Sequence, residues 1–99
     1  MDDFITVTVS GTTVTTGAAS ARVAIPVASD GNVPRFIRVA ATTESYIRVG
    51  NSSVAATTND TMVQPADCVI LQIPAGVTNI AYIQGTATGK VNIMPLENL

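Results

Sequence analysis

Alternation constrains this chain most. Phe4-Ile5-Thr6-Val7-Thr8-Val9, Ala21-Arg22-Val23-Ala24-Ile25, Phe36-Ile37-Arg38-Val39 and Tyr46-Ile47-Arg48-Val49 are short runs rich in β-branched residues. A period of two sends successive side chains to opposite faces of a strand, and branching at Cβ favours extended backbone. No stretch combines helical periodicity with caps. Between the runs lie Gly, Pro, Asn, Asp and Ser, a turn signal every ~8–12 residues. The expected fold is all-β, a β-sandwich or jelly roll of about seven to eight short antiparallel strands.

Punctuation sets the finer expectations. Pro26 closes the second run, because proline cannot donate to a ladder. Ser29-Asp30-Gly31-Asn32 and Pro74-Ala75-Gly76 carry turn chemistry. Asn51 to Asp60 reads as a polar loop, Thr61-Met62-Val63 as a short strand, and Pro95 as a strand end. Cys68 to Ile73 is apolar at both parities, which predicts a central strand with Cys68 as a small buried hydrophobe. Ser10 to Ser20 is almost wholly Thr, Gly, Ala and Ser, with Thr12 to Thr16 able to extend. The division expected is an N-terminal strand or arm over 1–20 and a β-sandwich domain over 21–99. Phe4 to Val9 is ready to add to another chain's sheet edge or to pair within its own sheet.

Two segments read as copies of one hairpin at an offset of 44 positions, Val39 to Ile83 and Ile47 to Val91. Centring each loop places Val39 against Ile47, Ile37 against Val49, Ile83 against Val91 and Ala81 against Ile93, all apolar and facing inward. The same register sets Arg38 opposite Arg48 on the outer face, a like-charge pair that needs an answering charge. Arg22 also points away from the apolar face of its run. These three arginines, with Tyr46 in the run of Arg48, form a candidate docking face for an acidic partner. The bland alternative is that they splay into water or meet Glu44 or Asp67.

Composition narrows the chemistry. Hydrophobic residues make up 46% of the chain, charged residues 12% and aromatics 4%, so the core must be aliphatic and thin. A domain of this kind often finishes burying its surface against a copy of itself. There is no His to serve as a catalytic base, and the single Cys has no imidazole to activate it and no thiol to pair with. The acids sit mostly in turns or near the ends, and none stands out as a poised pair. Asp30-Gly31-Asn32 lacks the spacing of a calcium loop. No enzyme activity, cofactor or metal is expected. The net charge of −2, with no basic run, gives nucleic acid little support. No apolar stretch reaches the length of a membrane span or a secretory signal, so function without export is expected.

The order of pieces carries a resemblance. Ala21-Arg22-Val23-Ala24-Ile25-Pro26, Phe36-Ile37-Arg38-Val39-Ala40, Tyr46-Ile47-Arg48-Val49-Gly50, Ala55-Ala56-Thr57-Thr58-Asn59-Asp60, Pro74-Ala75-Gly76-Val77-Thr78-Asn79-Ile80-Ala81 and Gly89-Lys90-Val91-Asn92-Ile93-Met94-Pro95 follow one another. Over about Ala21 to Pro95 the chain resembles small β-structured virion proteins of tailed bacteriophages, the head decoration, cement or minor structural proteins. The resemblance implies a structural virion protein, made in the host cytoplasm and seated on the capsid surface, often as a trimer. Such a protein binds the major capsid protein or another virion protein and ties capsid subunits together. A head-fibre base, a head–tail joint or a tail component remains an alternative, as does a carbohydrate-binding or adhesion module. The partner-binding residues expected are Arg22, Arg38, Tyr46 and Arg48 on the strands, and Phe4, Ile5 and Val7 on the arm.

Overall fold

A computed structural model describes residues 7, 9–65 and 67–97 of the 99-residue chain. Its elements are β1 (Thr12–Thr15), β2 (Ala21–Ala24), β3 (Phe36–Ala41), β4 (Ser45–Gly50), β5 (Thr61–Val63), β6 (Val69–Gln72), β7 (Asn79–Gln84) and β8 (Lys90–Pro95). They form two four-stranded antiparallel sheets, ordered β1-β8-β3-β6 and β2-β7-β4-β5, with no helix among the described residues. The expected all-β class and the β-sandwich architecture are what the molecule shows.

The core lies between the sheets. Ile37, Val39, Val91 and Ile93 face it from the first sheet, and Ile47, Val63, Ile80 and Tyr82 from the second; Ile25 and Ile73 fill its ends. Apart from Tyr82 the set is aliphatic. The turns form as their residues dictate. Asn32 N–H donates to Asp30 Oδ1 at 2.9 Å while Gly31 takes a φ of +81°. Gly76, at +88°, lets the Pro74 carbonyl accept from Val77 N–H at 3.2 Å. Such φ values are open to glycine and strained for most other residues.

The two hairpins are corrected. β3 and β4 belong to different sheets, as do β7 and β8. Val39 pairs with Val69 and Ile93, and Ile47 with Thr61 and Tyr82. Each short loop turns a corner across the sandwich, so the inner faces of its strands meet through the core instead of lying side by side. The two corners are locked together. Thr42 N–H donates to the Lys90 carbonyl at 2.9 Å, and Gly85 N–H to the Glu44 carbonyl at 2.9 Å. Thr43 Oγ1 donates to the Ala87 carbonyl at 3.2 Å. A Cβ at Gly89 would collide with the Thr43 and Thr42 hydroxyls, so only glycine allows this approach.

Three further expectations change. In β7 the inward residues are Ile80 and Tyr82, not Ala81 and Ile83. β6 is an edge strand, not a central one, because among the described residues it pairs only with β3. Cys68, just before that edge strand, is therefore exposed and not buried. Thr12–Thr15, within the stretch read as able to extend, is no such change: it pairs with β8 inside the first sheet.

Candidate functional site

The outer face of the second sheet brings together three of the residues singled out in the sequence. Arg22 on β2 and Arg48 on β4 both lie directly opposite Ala81 on β7, the strand between them. Two interstrand spacings put their Cα atoms about 10 Å apart. Both are exposed, and among the described residues neither takes an ion pair. Tyr46, two positions from Arg48, shares that face and sits opposite Ile83 and the exposed Met62.

Ala81 explains how the face is built. It points away from the core yet has 0% exposure. The loop that joins β4 to β5 is tied down at both sides of β7 and so crosses this face as a strap. At its near end Val54 sits on Gly50, where an added Cβ would come within 2.9 Å of the valine side chain. At its far end Ala56 N–H donates to Ser20 Oγ at 2.8 Å, just before β2 on the opposite edge of the sheet. Turns brace both ends. Ser53 N–H donates to Asn51 Oδ1 at 2.8 Å, and Thr57 N–H to Asp60 Oδ2 at 2.7 Å. Asp60 is thus occupied in closing the strap beside Arg48 and not in pairing with it. Between strap and strand lies an open cleft of about 430 Å³, bordered by Arg48, Gly50, Asn51, Ser53 and Val54.

The Glu44 carboxylate beside Tyr46 is also engaged. Tyr46 Oη donates to Glu44 Oε2 at 2.5 Å. That hydrogen bond, then burial, then the carboxylate's charge hold the Tyr46 phenol above its ordinary pKa. Among the described residues the face is left with two guanidiniums without an ion-pair partner.

Arg38 is not part of this site. It lies on the outer face of the first sheet, opposite Ile70 and Met94, and is half-buried. The expected Arg38–Arg48 pair therefore does not form, and Arg22 takes its place beside Arg48. Phe4 and Ile5 lie outside the described residues; Val7 is exposed. The strap is the component that sequence reading missed. Val54-Ala55-Ala56, the apolar stretch inside a polar loop, is its signal, since small side chains can lie flat on a sheet. Among the described residues no group of His, Cys, Asp and Glu could hold a metal ion. No protein-family model, curated protein or solved structure matches the chain.

Proposed function

We propose that this protein is a structural docking module of a larger protein assembly, with the strapped face of the second sheet as its contact surface. The observation that carries the reading is the Arg22–Ala81–Arg48 row, two exposed cations without ion-pair partners among the described residues on a chain of net charge −2. Surface guanidiniums held by sheet backbone at fixed spacing recognise carboxylates, and complementary charge steers encounter and fixes orientation. Two rigid sheets with cross-braced corners suit a part that stiffens its neighbours. The sequence resemblance to tailed-phage virion proteins makes a capsid the assembly, and the acidic partner a capsid subunit. Binding only the assembled shell stabilises it by mass action, and repetition over symmetric sites adds avidity. The test is compositional. Virus particles purified from cells that produce the protein are quantified by mass spectrometry. The reading expects this chain at a fixed, many-copy ratio to the major shell protein; its absence from purified particles overturns it.

A further inference from the structure

Among the described residues the sandwich has four strand edges, and they are unequally defended. An edge strand offers unpaired N–H and C=O groups to any other strand, and proteins blunt that invitation with short length, charge or proline. β5 is three residues long and runs into Pro65. β2 carries Arg22 and is followed by Pro26. β1 is mostly threonine, and just beyond it the Gly17 carbonyl accepts from Gln84 N–H at 3.0 Å. β6 has Pro74 after it, at the distance Pro26 keeps from β2, but Val69-Ile70-Leu71-Gln72 itself holds no charge, proline or glycine. Ile70 is 48% exposed on its outer face, and Phe36, one diagonal step away on β3, is 45% exposed. Val69 and Leu71 face the core but are only half-covered.

We propose that β6 pairs antiparallel with β6 of a second copy, joining two first sheets into one continuous eight-stranded sheet. Opposed residues in an antiparallel pair share a face, which limits the register to pairs of equal parity. Placing Ile70 against its own counterpart sets Val69 against Leu71 on the inner face and Cys68 against Gln72 on the outer. Apolar then meets apolar on the inner face, and the pair that flanks Ile70 on the outer face carries no charge. A shift by one pair would set Ile70 against Gln72. Charge also selects a second copy at this edge. The two Arg38 side chains end up three strand spacings apart, about 14 Å, beyond the screening length of ~8–10 Å. Self-pairing of β2 would instead bring two Arg22 guanidiniums opposite or diagonal to each other. The exposed strip Phe36–Ile70 becomes continuous across the dyad and loses solvent contact at its centre. The pair is two-fold, in place of the trimer expected from the resemblance. It uses the sheet remote from Arg22 and Arg48, so its failure and the failure of the docking reading are separable.

The test is sedimentation velocity on the full chain from micromolar to submillimolar concentration. The wild type is expected to be a dimer. Ile70→Lys, at an exposed position, is expected to raise the dissociation constant at least roughly tenfold by setting two ammonium groups face to face, with an unchanged β-type circular dichroism spectrum. In a Cys68→Ser background, Ile70→Cys is expected to form an interchain disulfide under mild oxidation, and Arg22→Cys is not. A wild type that stays monomeric or forms a trimer overturns the proposal. So does an Ile70→Lys variant that associates like the wild type, or a dimer in which residue 70 does not cross-link.

Discussion

Tyr46 and Glu44 are two residues apart on one strand face, and their hydrogen bond ties the start of β4 to the corner where Gly85 N–H reaches the Glu44 carbonyl. The phenol must be protonated to donate, so its pKa is raised above 10.0. The contribution of this contact is therefore present in full below the unfolded value and is lost as pH rises through the higher folded value. Glu44→Gln removes the negative charge and lowers the Tyr46 pKa towards the ordinary phenol. Absorbance titration in a Tyr82→Phe background, which leaves one phenol, reads the shift; an unchanged midpoint contradicts the assignment. In the core the residue-scale expectation is plainer. Ile47 and Ile93 are almost fully buried on facing sheets. Either one replaced by Ala should cost about 2–5 kcal/mol in chemical denaturation.

At the scale of elements, the strap and the corners show what alternation can and cannot say. Period two identifies a strand and sorts its residues between two faces. Ile37, Val39, Ile47, Val91 and Ile93 were all legible as inward residues for that reason, and all are buried. Alternation does not say which strand lies alongside. A three-residue turn between β3 and β4 serves a flat hairpin or a corner equally well, and only packing of two apolar faces against each other decides between them. Where both parities are apolar the signal vanishes. Ile80-Ala81-Tyr82-Ile83 was assigned the wrong face because β7 is covered on both sides, by the core within and the strap without. Arg22 and Arg48 were legible as members of one face, but their spacing was not, since it depends on β7 lying between their strands. Two variants test the strap. Ser20→Ala removes the acceptor for Ala56 N–H, and amide exchange at Ala56 should accelerate while the core strands keep their protection. Ala81→Leu forces side-chain volume into the closed space beneath the strap and should cost about 1–3 kcal/mol. If Ala81→Leu is neutral, the strap does not press on that position.

For the whole molecule, a weakly acidic chain concentrates two cations without ion-pair partners among the described residues on one outer face, and leaves an uncharged edge strand on the other sheet. On the two proposals labour is divided, with docking on the second sheet and self-association through the first. The central claim is the first of these, that Arg22 and Arg48 act together and Arg38 does not. The most direct measurement is the affinity of three proteins for the particle surface at several salt concentrations: wild type, Arg22→Gln/Arg48→Gln and Arg38→Gln. Opposite charges at a desolvated contact are worth about 1–3 kcal/mol here, and exposed ones are screened by salt. The account predicts that the double variant binds roughly five- to 150-fold more weakly, with a flatter salt dependence, while Arg38→Gln binds like the wild type. A double variant with wild-type affinity, or an Arg38→Gln protein as impaired as the double variant, would contradict it.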